Sequence, residues 1–202
     1  MAKILIVFGD RTADEVMAAF RRSTFATTFD RVEKWYFEQD GSAAEIERVA
    51  SSFRDVFYHV GVVDEYLRVA IVDLATQLGW EPWTVIDPSA YVDPSAEIGP
   101  GCFVAAHAVG SCRDRLGAHC LVHFQAMVGH DVVIGSQGIL LPGAKVSGGV
   151  VMGQRCLVGS NAFVYQNSVL GDRVKVDALG YAQGTIVGGT VVSARRSGAA
   201  SS

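Results

Sequence analysis

Residues 122–175 read VHFQAM-VGHDVV-IGSQGI-LLPGAK-VSGGVV-MGQRCL-VGSNAF-VYQNSV-LGDRVK, hexads that each begin on an apolar residue and mostly carry a small residue in fifth place. Worked outward, the same phase runs from Ile86 through Val92, Ile98, Val104, Gly110 and Leu116 into this stretch and on to Val176. Fifteen of its sixteen anchors are aliphatic. In a chain that is 50% apolar by the broad count, chance would leave about half of them polar or small, so the period is real. Six is neither the 3.6 of a helix nor the two of a plain strand. It fits short strands joined by tight turns, with the anchor pointing inward and a small residue at the next corner. Three hexads then make one triangular coil, and stacked coils make a β-solenoid.

Residues eighteen apart stack in such a solenoid. Cys102 and Cys120 therefore lie on adjacent rungs, with Cys156 in the same phase two coils later. They read as free thiols acting as small core residues, because no spacing among the four cysteines matches a zinc motif. One hexad, Gly110–Arg115, fails at both the anchor and the small corner, and a bulge or a covering element is expected there. After Tyr181 the pattern dissolves, with one last strand expected in Ile186–Val192 and a disordered tail from residue 193 to 202.

The first 83 residues alternate differently. Lys3–Phe8 is a short apolar run of the kind buried on both faces of a parallel sheet. Gly9-Asp10-Arg11-Thr12 is a turn, and Thr12 with Glu15 reads as a capping box for a helix ending near Arg22. Strands are expected at Val32–Glu38 and Asp55–Val63, and helices at Ala43–Phe53 and Glu65–Leu78, the last closed by Gly79. Glu81–Ile86 carries the chain into the first hexad without a flexible linker. Strand–helix alternation implies a small Rossmann-like parallel α/β domain over 1–83, followed by the solenoid over 84–192.

Composition excludes some partners. Seventeen Lys and Arg against twenty-one Asp and Glu give a net charge of −4, no electrostatic case for nucleic acid or an anionic membrane. No apolar run approaches the roughly 20 residues of a membrane helix, and the first residues do not read as a signal peptide, so the cytoplasm is the expected location.

An α/β unit followed by hexads resembles the bacterial acetyltransferases that modify sialic acid or nucleotide-linked amino sugars. The similarity is tightest from Val128 to Phe163. Val128–Gly135 looks like that family's catalytic segment, Pro142–Val150 like its CoA-binding coil, and Met152–Ala162 like the coil that follows, while Phe57–Arg68 resembles the N-terminal domain. The resemblance implies a left-handed parallel β-helix, a homotrimer, and acetyl-CoA lying between two solenoids with no metal required. It implies His130 as general base, Asp131 as its partner, and the Gly148 N–H as oxyanion donor. Gly143, Gly148, Gly149, Gly159 and Ser160 would line the CoA groove. The acceptor would meet His123, Phe124 and Gln125, together with Gly9 and Asp10 of the first loop.

The sequence departs from the family in three places. The first loop holds only Gly9 where the family has a glycine-rich loop with a histidine, so a non-nucleotide amine or alcohol stays open as acceptor. His123-Phe124 stand where Asn-Thr is usual, and the C-terminal Gly-x-Pro-Ala-Lys segment is missing. Read without the family, His130 is the right residue type for the work, since an imidazole titrates nearest neutrality and can take a proton from an attacking amine. His59 reads as structural. Glu38 and Asp40, at the end of the second strand, are candidates for an acceptor hydroxyl or ammonium, and Lys145 and Lys175 for CoA phosphates. Two other classes remain as alternatives: a non-catalytic hexapeptide scaffold, and a trimeric zinc lyase of the carbonic anhydrase type. His107, His119, His123 and His130 lack the eighteen-residue spacing that would stack them for zinc.

Overall fold

The computed structural model describes residues 2–37 and 42–194. The N-terminal part is a four-stranded parallel sheet in the order β2-β1-β3-β4, formed by β1 (Lys3–Phe8), β2 (Arg31–Trp35), β3 (Asp55–Val60) and β4 (Glu81–Pro82). Helices α1 (Arg11–Arg22), α2 (Ala43–Ser52) and α3 (Glu65–Gln77) connect the strands. The central strand β1 is buried on both sides, as its unbroken apolar run requires. Ile4, Ile6 and Phe8 pack with Val49 of α2 and with Ile71 and Ala75 of α3. Leu5 and Val7 pack with α1 through Ala13, Val16 and Phe20.

That second cluster does not stop at the domain edge. It continues into Val85, Phe103, Leu121 and Ile139, the outward residues of one solenoid face. The two parts share a single apolar seam, with Trp83 packed against Phe29 and Phe57 where the chain crosses it. Across the seam Arg22 pairs with the buried Asp87.

The solenoid has three parallel sheets. Seven strands, from Val85–Ile86 to Val191–Val192, form the face docked on the N-terminal domain. Six from Tyr91–Val92 to Tyr181–Ala182 form the second, and six from Glu97–Ile98 to Thr185–Ile186 the third. Each strand has only two residues in ladder geometry, and up to Tyr181–Ala182 each pairs with the strand eighteen residues away, as Met127 does with Lys145. The anchors from Val122 to Val176 all point inward and are at most 2% exposed. Ile86 is 38% exposed because no coil precedes it.

Corners require a left-handed backbone once per turn. Gly101, Gly143 and Gly149 supply it without strain, and His107, Arg113, Gln125, Asp131, Asn161 and Asn167 adopt it at φ between 54° and 60°.

Several expectations from the sequence are corrected. Gly110–Arg115 neither bulges nor lies under another element: Val109–Gly110 and Arg115–Leu116 stay in register with Met127–Val128 and Val133–Ile134. The repeat does not dissolve after Tyr181 but drops two residues, so Lys175 pairs with Val191 and Val169 with Thr185, completing another coil. Thr12 is no capping residue. Helix α1 begins at Arg11 with Asp10 in the N-cap position and no side chain capping it, Thr12 is buried in the first turn, and the Glu15 carboxylate turns toward His123 in the seam. β2 ends at Trp35 and β3 at Val60, both earlier than expected. Glu38 and Asp40, and the tail from Arg195, lie outside the described residues. Among the described residues, no helix is long and apolar enough to cross a membrane.

Candidate active site

His130 and Asp131 occupy the corner between the second and third faces, just after Met127–Val128. Asp131 sits at φ 59°, and this left-handed turn brings its carboxylate back onto its sequence neighbour, with His130 Nδ1 2.8 Å from Asp131 Oδ2. A second partner holds the same carboxylate. Arg113, one coil earlier, donates from Nε to Oδ1 at 2.6 Å and from Nη2 to Oδ2 at 2.9 Å. These bonds, that of Arg113 first and that of His130 second, hold the Asp131 carboxyl well below the usual carboxylate range. An ionised carboxylate can only accept, so Nδ1 of His130 carries the proton in this bond, and in the neutral ring the lone pair is on Nε2.

The Nε2 side of the ring lies over Gly148 of the following coil, where a Cβ would stand 2.6 Å from Nε2. Gly148 must be glycine for this ring position. Its own N–H finds no protein acceptor among the described residues, while Gly149 N–H is taken by the His130 carbonyl. The His130 ring and the Gly148 N–H thus share one corner, and the His130 side chain is 64% exposed.

Beneath the corner lies a residue that pattern reading left unexplained. Asp114 is fully buried where the neighbouring hexads carry Ala108 and Cys120, and its Oδ1 accepts the Val132 N–H at 3.1 Å. Its Oδ2 has no partner, and burial raises its pKa to about 6 despite the backbone N–H groups facing it. The eighteen-residue spacing, applied from 113 to 131 and from 114 to 132, was the available signal for both contacts.

The remaining candidates fall elsewhere. Gly143, Gly159 and Ser160 lie on a different edge, between the first and second faces, in line with Phe124 and Gln125; Gly143 N–H donates to the Phe124 carbonyl. His123 begins that edge but points into the seam, 4% exposed, with Nδ1 3.4 Å from Glu15. His59 donates from Nδ1 to the Trp83 carbonyl, and His119 stacks on Tyr58. Burial lowers the pKa of each of these three histidines to about 4, so they are neutral at physiological pH. Beside them Arg68, 1% exposed, donates to the carbonyls of Val60, Val62 and His119, and burial lowers its pKa to about 10. Lys145 is exposed on the second face and Lys175 pairs with Glu65. Among the described residues no three His, Cys, Asp or Glu side chains are placed to hold a metal ion.

Gly9 and Asp10 lie at the carboxyl edge of the N-terminal sheet, beside β1, where the strand order reverses direction. Open α/β sheets bind ligands at this position. Gly9, at φ 132°, lets the ends of β1 and β3 meet, since a Cβ there would strike the Gly61 carbonyl.

No family model matches the chain. Among curated proteins it is 26% identical over 110 residues to a GDP-perosamine N-acetyltransferase of Escherichia coli O157:H7, a match covering 54% of this chain and about half (50%) of that protein. Solved structures align over nearly the whole chain. The acetyltransferase domain of PglB from Neisseria gonorrhoeae FA1090, in complex with acetyl coenzyme A, superposes with a TM-score of 0.84 at 25% identity, covering 96% of this chain and 97% of that one. PerB from Caulobacter crescentus, in complex with CoA and GDP-perosamine, gives 0.84 at 21%, covering 96% and 95%. WeeI from Acinetobacter baumannii AYE gives 0.85 at 18%, covering 94% and 95%. The fold, an α/β domain followed by a left-handed parallel β-helix, is that of these proteins, and the resemblance read from the hexads holds along nearly the whole chain.

Proposed function

We propose that this chain is an acetyl-CoA-dependent N-acetyltransferase whose acceptor is a nucleotide-linked amino sugar. The observation that carries the reading is the corner itself. His130 is held by Asp131 as the Nδ1–H tautomer, with Nε2 free over Gly148. The two solved relatives bound to acetyl coenzyme A or to CoA and GDP-perosamine support the substrate class. So does the structure of a histidine-to-alanine mutant of the Caulobacter enzyme in complex with CoA and GDP-perosamine.

His130 Nε2 accepts the proton of the attacking amine, and the Asp131 carboxylate stabilises the imidazolium that forms. The Gly148 N–H, which has no protein acceptor among the described residues, holds the oxygen of the tetrahedral intermediate. The proton on His130 then leaves with the CoA thiol. Transfer is direct, with no acyl-enzyme: Cys102, Cys120 and Cys156 are buried in the solenoid, and the partly buried Cys112 is given no role in the step.

The active unit is a homotrimer. One face of each solenoid is covered by the N-terminal domain, while the other two present exposed apolar side chains, among them Tyr91 and Met127 on the second and Val133, Val151 and Val169 on the third. Packing these faces together would bring the Gly143–Ser160 edge of one chain toward the His130 corner of its neighbour. CoA would lie in that groove against the corner glycines, with Phe124, Gln125 and the Gly9-Asp10 loop receiving the acceptor. The cytoplasm, where acetyl-CoA is available, is the location this activity calls for. A second reading, a free amino sugar as acceptor, is favoured by one observation: Asp10 places a carboxylate at the start of α1, where an anionic phosphate would otherwise be welcome.

The test is CoA thiol release from acetyl-CoA over GDP-, UDP- and dTDP-linked amino sugars, free amino sugars and simple amines. Turnover with a nucleotide-linked amino sugar is expected. Turnover with free sugars alone would replace the first reading by the second, and a protein that neither binds acetyl-CoA nor turns over would be a scaffold.

A further inference from the structure

The hexad Gly110–Arg115 alone breaks the repeat between Val92 and Val176 at its anchor, and its two odd residues both act on the turn one coil later. We propose that Arg113 and Asp114 form a clamp that positions the His130–Asp131 pair, so that the irregular hexad is a specialisation for the reaction. The inference rests on the reading of His130 as general base.

From outside the solenoid, Arg113 grips the Asp131 carboxylate with two parallel bonds. A planar guanidinium matches a carboxylate in this fork geometry and fixes its rotation as well as its position. With both oxygens engaged, Oδ2 stays directed at His130 Nδ1. From inside, Asp114 holds the N–H of Val132, the residue that follows the pair. The pair is therefore fixed on both sides of the chain, by one contact in solvent and one in the core.

Other corners solve the same local problem without a carboxylate. At Ala108, Ala126 and Ala144 the corresponding N–H closes onto the carbonyl three residues earlier. An alanine at 114 would thus leave Val132 a backbone alternative, and a buried carboxylate with an unpartnered oxygen is unfavourable for stability. The coil keeps the costlier arrangement at the position beneath the catalytic pair. The charged groups facing that pair are Arg113 and Asp114, with Cys112 beside them and Asp93, one coil earlier, acting on Arg113. Glu97 and Arg115 lie further along the third face, and the following coil contributes only Gly148 and Gly149.

The test reads the His130 tautomer by 15N NMR of the imidazoles at pH 8, assigned with His130→Ala. The wild type is expected as the Nδ1–H form. Arg113→Gln and Asp114→Ala should each move population to the Nε2–H form, and Arg113→Lys should recover only part, because an ammonium cannot hold both oxygens at once. With acetyl-CoA and GDP-perosamine as probes, kcat should fall about tenfold to a hundredfold in both variants while KM for acetyl-CoA stays within about twofold. Asp114→Ala should melt at or above the wild-type temperature at pH 8, a combination that a purely structural role would not give. An unchanged tautomer in both variants overturns the clamp, and Arg113→Gln, at an exposed side chain, decides the matter if Asp114→Ala fails to fold. His130→Ala separates the two readings. If it keeps full thiol release the base assignment falls, whereas if it is inactive and both clamp variants behave as wild type, only the clamp falls.

Discussion

His130 and the seam histidines are the same side chain put to opposite uses. His59, His119 and His123 lie between the N-terminal sheet and the solenoid, where burial keeps them neutral and Arg68 beside them opposes any added charge. His130 stands at an open corner with a doubly held carboxylate on one nitrogen and a bare glycine under the other. A histidine can carry a proton through a reaction only where the protein has arranged a place for the resulting charge. The seam offers none, and the corner is built around one.

The largest expected effect that tests this contrast is on His130→Ala, which should lower turnover by about 10²–10⁴-fold. Acetyl-CoA binding and the melting temperature should stay near wild type, as calorimetry and thermal scans would show. Wild-type turnover in this variant would dissolve the comparison. On the seam side, Arg68→Met should leave three buried carbonyls without their donor and destabilise the protein by about 3 kcal/mol, read as a lower denaturation midpoint. If the midpoint does not move, the seam is not held by this guanidinium.

Gly148→Ala should cost about tenfold to a hundredfold in kcat, because the new methyl group needs the space under Nε2. The melting temperature should barely change, since the exposed ring can swing outward.

The smallest effect is on stability against pH. The seam histidines have folded pKa values depressed to about 4, below the ordinary value of about 6.5. Their contribution is complete above about pH 6.5 and is lost as pH falls toward 4. Asp114, raised to about 6, works the other way, favouring the fold as pH falls from about 6 toward 4. Thermal melts should therefore show a net loss on acidification, to which the depressed carboxyls of Asp131, Asp87 and Glu33 add and the raised Glu15 opposes. Asp114→Ala should steepen that loss; a flatter profile would mean that the carboxyl is not buried in charged form.

Much of this was legible in the hexads. The anchors determine which side chains point inward, the eighteen-residue spacing determines which residues stack, and the apolar run at Lys3–Phe8 announces the central strand. The start of α1 was not legible, because Thr12 and Glu15 satisfy the spacing of a capping box while the turn at Gly9 starts the helix earlier. Nor was the place of His123, whose corner position gives no sign that the N-terminal domain covers that side of the solenoid. The hexad at Gly110 stood out as an exception, but an exception in a repeat does not say what it serves until the rung above it is placed.

The continuous seam also bears on the kinetics of turnover. A domain docked on its neighbour through Val85, Phe103, Leu121 and Ile139 is held by that apolar contact against closing as a hinged unit. On the proposed reading of His130, catalysis at this open corner needs no closure of the two docked parts, so its turnover would be governed by chemistry and by the departure of products rather than by that motion. Solvent viscosity should then slow the reaction only as far as product diffusion does.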